Sequence, residues 1–253
     1  MIITIMMLIL MMDVKTNYLC LRVGVNHGSL LAMPYRRTEN VTRKLAARHV
    51  AILAAAQALA AEGGMAAVQI APVAERAGIA AGTVYRYFPS KTDLVAALVA
   101  ALAEQENAAL TQAGNAAPGP LSALAAAITA FAARALARRR LAFALIAEPV
   151  EPEIDTARVS YRRTLAGAFE ARIRTALDGG HLPNQDAAIA APALVGALTE
   201  GLIGPLAQDA SDPGEARAKV QALTLFGLRA LGVVDARARG LVVQIALPIP
   251  DSV

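Results

Sequence analysis

The sequence predicts an all-α fold of about nine helices, with a short helix-turn-helix domain near the N-terminus and a larger helical domain behind it. Hydrophobic residues make up 56% of the 253 residues and aromatic residues only 4%. A chain dominated by alanine, with few runs of β-branched residues, favours helices nearly throughout. Glycine and proline then end the apolar stretches at helix-length intervals, as at Gly63-Gly64, Gly179-Gly180 and Gly204-Pro205.

A tight corner organises the first domain. We expect a first helix over about Thr42–Glu62, a short helix over Ile70–Ala77 and a second short helix over about Ala81–Phe88. Gly78 stands where the chain must reverse, a position that suits a left-handed backbone. The pattern Ser90-Lys91-Thr92-Asp93 is a capping box, which predicts that a long fourth helix begins there.

The outward surface of this corner has the chemistry of a helix that reads DNA. It is short, slightly basic and rich in hydroxyls and exposed backbone, which suits the major groove. Residues 34–94 contain eight Lys or Arg against four Asp or Glu, so the whole net charge of +4 lies there, as expected for phosphate binding. The residues expected to contact DNA are Arg43, Lys44, Gln69, Ala81, Gly82, Thr83, Tyr85, Arg86, Tyr87 and Lys91.

The run AGIAAGTVYRYFPSKTDL, residues 77–94, resembles the DNA-reading segment of the tetracycline-repressor (TetR) family of bacterial transcriptional regulators. The resemblance extends back to about Arg43, whereas beyond about Ala100 only the all-helical character matches. Two departures concern DNA contacts, because Ala71 and Ala81 stand where many members carry long polar side chains. Gln69 stands where a capping Thr is common. These departures imply fewer side-chain contacts to bases.

The first 33 residues do not look like the rest of the chain. Ile2–Met12 is almost entirely apolar, but a membrane span needs about 20 such residues. The basic residues follow this apolar run, whereas a secretory signal has them in front of it. Members of the TetR family, which this chain resembles, commonly begin shortly before their first helix. We therefore predict that translation starts at Met33. Residues 1–33 are then a non-native or disordered extension, and residues 34–94 form the DNA-binding domain.

The second domain is expected over residues 95–233. The fourth helix connects it to the corner, and five further helices follow. Asp212-Pro213-Gly214-Glu215 predicts the start of the ninth helix, with a cap, a proline in the first helical position and an acid in the first turn. Residues 234–253 are a C-terminal tail, in which Leu241–Ile249 could be a strand, a packed extension or disordered.

Helices eight and nine are apolar on nearly every side, so they must be buried on nearly every side. One subunit can cover only part of that surface. A four-helix interface between two copies accounts for the rest, and the TetR resemblance implies the same homodimer; the alternative is a central position of both helices in a monomer. The expected interface residues are Leu194, Leu198, Gly201, Leu202, Leu223 and Phe226.

The second domain also carries a few large side chains in a background of alanine. Small side chains leave gaps between helices, and an apolar cavity with a few polar groups is a common ligand site. The competing interpretation is that most of the large residues are ordinary core. The candidate ligand-binding residues are Phe131, Phe143, Ile146, Glu148, Tyr161, Phe169, Leu198, Thr199 and Glu200.

No catalytic constellation, phosphate loop or dinucleotide fingerprint occurs in the sequence, and the three histidines lack metal-ligand spacing. The sequence therefore indicates no enzyme, no cofactor and no metal site. The single cysteine, Cys20, fits a reducing cytoplasm. We expect a cytoplasmic, ligand-responsive transcriptional regulator without a membrane partner, a repressor that a small apolar effector releases from a near-palindromic double-stranded DNA operator. The alternative is a helical dimeric module that binds a small molecule or a protein, with a degenerate DNA-reading head.

Overall fold

The computed structural model describes residues 39–148, 152–204, 207 and 212–245. The chain divides into two compact units, Met1–Thr42 and Arg43–Val253. Of the first unit, only residues 39–42 are among those described, so the predicted extension and the predicted start at Met33 lie outside the described residues. The predicted domain boundary between residues 94 and 95 stays a prediction.

The described residues form ten α-helices and one 3-10 helix, without a strand. The all-α prediction is confirmed, and the number of helices is ten rather than about nine because part of the expected tail is helical. The helices are α1 Glu39–Gly63, the 3-10 helix Met65–Ala67, α2 Ile70–Arg76, α3 Ala81–Tyr87, α4 Lys91–Asn115, α5 Pro120–Ala137, α6 Arg139–Ile146, α7 Pro152–Asp178, α8 Ala187–Ile203, α9 Pro213–Ala230 and α10 Asp235–Gln244.

Helices α1 to α3 enclose the core of the helix-turn-helix. Gly78 has φ +65°, and the chain reverses there as predicted, closed by a hydrogen bond from the Ile79 N–H to the Ala74 carbonyl at 3.0 Å. Arg76 of α2 donates to both carboxylate oxygens of Glu62 on α1, at 2.5 and 2.8 Å. The buried side chains that fill this core include Ile52, Ala56, Met65, Val68, Val73, Ala74, Val84 and Phe88.

Helix α4 begins at the predicted capping box. The backbone N–H of Asp93 donates to Ser90 Oγ at 3.0 Å, and the Ser90 hydroxyl donates to Asp93 Oδ2 at 2.7 Å. The helix then packs along α5 and α7. Near its end, Arg172 of α7 donates to the Leu110 carbonyl at 2.7 Å. This bond adds a side-chain donor to a carbonyl in the last part of the helix, since a carbonyl oxygen has two lone pairs.

Helix α5 is the centre of the remaining helices, because it packs against α4 and against each of α6 to α10. By length and composition alone, α5 and residues Val41–Gly63 of α1 could each cross a membrane. Burial among six other helices explains the apolar composition of α5, and α1 contributes one side of the helix-turn-helix core.

Helix α10 lies within the segment that the sequence left as a tail. Its first residue, Asp235, accepts hydrogen bonds from Arg229 of α9 and from Arg239 one turn later. Ala238 is fully buried, so the helix packs onto the protein. For Leu241–Ile249 the sequence left open a strand, a packed extension or disorder. The residues up to Gln244 are helical and are therefore not a strand. The residues after Ile245 lie outside the described residues.

Candidate nucleic-acid interface and ligand cavity

Helix α3 has a buried side and an open side. Val84 and the following Phe88 pack into the core, whereas Ala81, Gly82, Tyr85 and Arg86 are exposed. Nothing stands within 4 Å of the position that a Cβ would take on Gly82. The open side therefore offers bare backbone at its start and two long side chains, one aromatic and one cationic, at its end.

Tyr87 does not face outward as the sequence analysis expected. Its side chain is half-buried, and its hydroxyl is enclosed with no hydrogen-bond partner among the described residues. Position 87 follows the buried Val84 by three residues, so the two share one side of the helix. The outward tyrosine of this helix is Tyr85, which is 53% exposed, and Thr83 is half-buried.

The other residues expected to contact DNA lie on the neighbouring helices. Arg43 and Lys44 are exposed in the first part of α1. Gln69 is exposed at the N-cap of α2, where its side chain makes no cap hydrogen bond and donates instead to the Ala66 carbonyl at 3.1 Å. Lys91 is the first residue of α4 and is half-buried. Contact of these residues with DNA stays a prediction.

His49, one of the three histidines without metal-ligand spacing, supports the end of α3. Its ring centroid lies 5.1 Å from that of Phe88 and 6.4 Å from that of Tyr87. Burial lowers the pKa of His49 below its ordinary value, which favours the neutral ring. The signal in the sequence is spacing, because position 49 precedes the buried Ile52 by three residues and so lies on the core side of α1.

A small cavity lies among α4, α5, α6 and α7. Its volume is about 30 Å³, room for about two water molecules. Three of the predicted ligand-binding residues, Phe131, Ile146 and Tyr161, line it. The sequence analysis missed the other lining residues, which are Leu102, Glu106, Arg134, Ala135, Arg138, Leu141, Ala142 and Leu145.

An ion pair forms the polar part of this cavity. Arg134 donates through Nε and Nη2 to both carboxylate oxygens of Glu106, at 2.7 to 3.1 Å, and this hydrogen bonding raises the pKa of Arg134. Tyr161 is buried beside them, and burial raises the pKa of its phenol. Arg134 could have been found from the sequence, because it is the only charged residue of α5.

The other predicted ligand-binding residues do not line this cavity, and their contact with a ligand stays a prediction. Phe169 packs edge-on against Phe131, with ring centroids 6.3 Å apart, and lies outside the lining. Phe143 lies under the guanidinium of Arg140, 6.0 Å from it. The phenylalanines were chosen for their size and Glu148, Thr199 and Glu200 for their polarity, whereas side-chain direction on each helix decides the lining. The residues concerned are Phe143, Glu148, Phe169, Leu198, Thr199 and Glu200.

Glu148 instead connects α6 to the helix-turn-helix. The backbone N–H of Met65 donates to Glu148 Oε2 at 3.1 Å. The Glu148 carboxylate and the Arg140 guanidinium both stand over Gly64, where an added Cβ would lie 2.4 to 2.6 Å from their atoms. Gly64 also has φ +77°, so this turn requires glycine for its conformation and for the close approach. The end of α6 therefore contacts the turn that follows α1.

Three leucines of the subunit interface expected from the sequence face the inside of the chain in α8. Leu194, Leu198 and Leu202 are buried within the chain's own core, so they cannot form a surface for a second copy. Because α8 is apolar on every side, its sequence does not indicate which stripe turns inward. Gly201 and Leu223 touch each other between α8 and α9, where an added Cβ would lie 2.8 Å from Leu223 Cδ2.

A different stripe of α8 is exposed together with part of α9. Ile189 is 69% exposed and Phe226 53% exposed, and Pro192, Ala193 and Gly196 lie exposed on α8. The outward surface of α8 and α9, defined by these five residues, is apolar and made mostly of small side chains. Of the predicted interface residues, only Phe226 belongs to it.

The fold and the two sites define a helical protein with a helix-turn-helix head and a partly polar cavity in its helical body. Residues 52–98 match the family model described as "Bacterial regulatory proteins, tetR family". This match covers α2 and α3 with the adjoining parts of α1 and α4, the part of the chain that carries the open face of α3. Over this segment the chain is similar to the tetR family, as the resemblance in the sequence indicated.

Curated relatives also match over a limited length, 58 residues. The chain is 57% identical over 58 residues to the HTH-type transcriptional repressor KstR of Rhodococcus jostii, covering 23% of this chain and 26% of that protein. It is 53% identical over 58 residues to KstR of Mycolicibacterium smegmatis, covering 23% of this chain and 27% of that protein. The chain thus spans about a quarter of the length of these relatives in the match.

Solved structures match over most of the chain. RolR in complex with resorcinol superposes with a TM-score of 0.61 at 25% identity, covering 82% of this chain and 98% of that one. FadR of Bacillus subtilis in complex with stearoyl-CoA gives a TM-score of 0.57 at 18% identity, covering 74% and 99%. The second likeness shows a shared fold only.

Proposed function

We propose that the protein is a DNA-binding transcriptional regulator whose helix α3 enters the major groove. The open side of α3 carries this proposal, since Tyr85 and Arg86 project from the side opposite its buried residues. The match of residues 52–98 to the tetR family supports it, as do the matching relatives, which are named as transcriptional repressors.

The side chains suggest how such a helix would bind. An arginine can donate two hydrogen bonds to a guanine edge or to a phosphate, and the bare surface at Gly82 permits close approach of the backbone. Ala71 and Ala81 are exposed on α2 and α3 but have no polar atoms to offer a base. Specificity should therefore rest on few direct base contacts and, in part, on the shape of the DNA.

Fluorescence anisotropy with DNA that flanks the gene tests the proposal. Replacing Arg86 by Ala should weaken binding by about 1–3 kcal/mol. Replacing Arg237, an exposed arginine of α10, is the matched control and should leave affinity unchanged. An equal loss of affinity in both variants would indicate only a general attraction of positive charge to DNA. An unchanged affinity in Arg86→Ala would show that Arg86 of α3 does not contribute to DNA binding.

We propose that the outward surface of α8 and α9 binds a second copy of the chain. Large apolar side chains such as Ile189 and Phe226 gain free energy when they leave water, and the small Ala193 and Gly196 allow two helices to cross closely. A two-fold dimer would present two equal α3 helices to a near-palindromic operator.

Light scattering on the full chain tests this dimer. The wild-type protein should have the mass of two chains, and Phe226→Glu should shift it toward one chain. Val243→Glu places the same charge on an exposed valine of α10 and should leave the dimer intact. A folded wild-type monomer would contradict the proposal.

We propose further that a small molecule bound among α4 to α7 weakens DNA binding. RolR, which shares the fold, has been solved with resorcinol bound. At about 30 Å³, the cavity here is smaller than any such molecule, so a ligand has to move the surrounding helices apart. A ligand that fits only one arrangement shifts the protein toward it, and ligand and operator then weaken each other by the same factor.

Two helices could transmit this movement. Helix α4 lines the cavity with Leu102 and Glu106 and begins directly after the helix-turn-helix. Helix α6 lines it with four residues and is followed by Glu148, which accepts the hydrogen bond from Met65. The sequence analysis identified only the fourth helix as a connection between the two domains, because a contact between positions 83 residues apart leaves no local signal.

Calorimetric titrations of resorcinol, with and without operator DNA bound, test this control. We expect a coupling free energy on the order of 1–3 kcal/mol, reduced in Glu148→Gln, which weakens the bond to Met65 without changing shape. Glu104→Gln, at an exposed position of α4, is the control and should keep the full coupling. Measurable binding with equal affinities in the two wild-type titrations would mean that the cavity is not a switch.

A further inference from the structure

The cavity pairs an apolar wall with one neutral ion pair. The wall consists of leucine, isoleucine, alanine and phenylalanine side chains, and the polar groups are Glu106, Arg134, Arg138 at an exposed position, and the Tyr161 phenol. We propose that the effector is an uncharged molecule with a hydroxyl group on a small apolar body, and that this hydroxyl binds the Glu106–Arg134 pair. The inference rests on the proposed regulation through this cavity and adds the chemical class of the ligand.

The hydrogen-bonding capacity of the pair favours a hydroxyl. Arg134 uses Nε and Nη2 for Glu106, which leaves its Nη1 as a donor. The carboxylate oxygens of Glu106 retain lone pairs, since a carboxylate can accept about four hydrogen bonds. A hydroxyl donates one hydrogen bond and accepts others, so a single hydroxyl can donate to Glu106 and accept from Arg134.

Charge disfavours the obvious competitors at the pair. A cationic ligand would meet the guanidiniums of Arg134 and of the exposed Arg138. An anionic ligand would meet the Glu106 carboxylate and would have to displace it from its hydrogen bonds with Arg134. Such charge interactions are stronger in a site with little water than in solution. An apolar ligand without a hydroxyl gains the contacts of the wall and none of the polar ones. Tyr161 adds a neutral hydroxyl on the same side, because burial keeps its phenol protonated.

The size of the cavity limits the apolar body. An engineered cavity of about 150 Å³ accommodates benzene, whereas this one has about 30 Å³. Binding of one aromatic ring therefore requires the surrounding atoms to move far enough to open a volume comparable to that of a large side chain. At the walls contributed by Ala135 and Ala142 there is little side chain to move, so at those walls the helices themselves have to move. A single ring with a short substituent is the largest body that we expect at high affinity.

Three probes of nearly equal shape test the class of ligand. Titrations of 4-ethylphenol, ethylbenzene and 4-ethylbenzoate into the full-length protein compare a hydroxyl, no polar group and an anion on one ring. We expect 4-ethylphenol to bind about tenfold more tightly than either of the other two probes, because a tenfold difference in affinity corresponds to the net free energy of about one hydrogen bond. Equal affinities, a preference for the benzoate, or no binding of the phenol would overturn the inference.

A charge change in the cavity gives a sharper result. Glu106→Gln leaves Arg134 without its carboxylate, so the variant should bind 4-ethylbenzoate more tightly than 4-ethylphenol, reversing the order seen in the wild type. Glu104→Gln on the exposed side of the same helix should retain the wild-type order. An unchanged order in Glu106→Gln would remove the pair from the ligand site.

A second variant and a DNA measurement complete the design. If Glu106→Gln does not fold, as judged by circular dichroism, Tyr161→Phe removes one hydroxyl from the same cavity and should narrow the preference for the phenol several-fold, while an unchanged preference would count against the site. Operator binding without any probe is measured in parallel. If the wild-type protein does not bind operator DNA, the proposed regulator itself is contradicted. If it binds operator DNA but the affinities for the three probes do not follow the expected order, only the proposed class of ligand is contradicted.

Discussion

A pair of buried threonines between α5 and α9 gives the most quantitative prediction about stability. Thr129 Oγ1 lies 3.1 Å from Thr224 Oγ1, and both side chains are buried. The hydroxyl of Thr224 also donates to the Val220 carbonyl at 2.8 Å. Because a hydroxyl has one proton, Thr224 can only accept in the pair, and Thr129 is the donor.

This assignment makes the two valine substitutions unequal. Thr224→Val leaves the Thr129 hydroxyl buried without an acceptor, which should cost about 1–3 kcal/mol. Thr129→Val leaves Thr224 bonded to Val220, so only the net value of one hydrogen bond is lost, about 0.5–1.5 kcal/mol. The double variant replaces both hydroxyls by methyl groups of the same shape and should be less destabilised than Thr224→Val alone.

Urea unfolding of the four proteins, at one fixed concentration of protomers because a dimer's stability depends on it, measures these differences. The double-mutant cycle should give a coupling free energy of roughly 0.5–3 kcal/mol. A larger cost for Thr129→Val than for Thr224→Val would refute the assignment of the donor. Strict additivity of the two substitutions would refute the interaction itself.

Three further predictions concern the glycines, the head and its pH dependence. Gly114→Ala should destabilise by about 1–3 kcal/mol in thermal unfolding, because an added Cβ would lie 2.5 Å from the guanidinium of Arg172 and displace it from its hydrogen bond to the Leu110 carbonyl. Gly167→Ala, with open space around it in α7, should instead stabilise by about 0.5–1 kcal/mol. Lys91→Ala should weaken binding to all DNA sequences alike and lower the salt slope of log K by about one, and an unchanged slope would contradict its place at a phosphate. Burial lowers the pKa of His49 in the folded state below its ordinary value of 6.5, so the unfolded chain takes up the proton first. The free energy of unfolding should therefore be highest above pH 6.5 and fall as the pH drops toward the lower folded pKa. This loss, followed by urea unfolding at several pH values, should be absent in His49→Phe.

The parts of the fold that the sequence predicted are those with local causes. Gly78 turns the chain because its own backbone has φ +65°, and Ser90 starts α4 through a bond to a residue three positions away. Asp212 starts α9 in the same way, accepting from the Glu215 N–H at 2.8 Å. Signals of this kind lie within a few residues, so the pattern is visible without knowledge of the tertiary structure.

The errors concern direction and long-range pairing. In α8 every side is apolar, and the sequence could not indicate that Leu198 turns into the core while Ile189 turns outward. In the cavity, Glu106 and Arg134 lie 28 positions apart, and nothing local pairs them. Large side chains such as Phe169 were better candidates for packing than for a cavity wall, since the residues that fill a core are the ones that close its gaps.

The measurement that tests the central claim most directly is a hydroxyl-radical footprint of the full-length protein on DNA that flanks its gene. A dimer that places one α3 in each of two major grooves should protect two segments whose centres are about one helical turn, or a multiple of it, apart. The two segments should be related by a near-palindrome, and both protections should weaken in Arg86→Ala while they persist in Arg237→Ala. A single protected segment, or protection that is unaffected by Arg86→Ala, would contradict a two-fold regulator that reads DNA with α3.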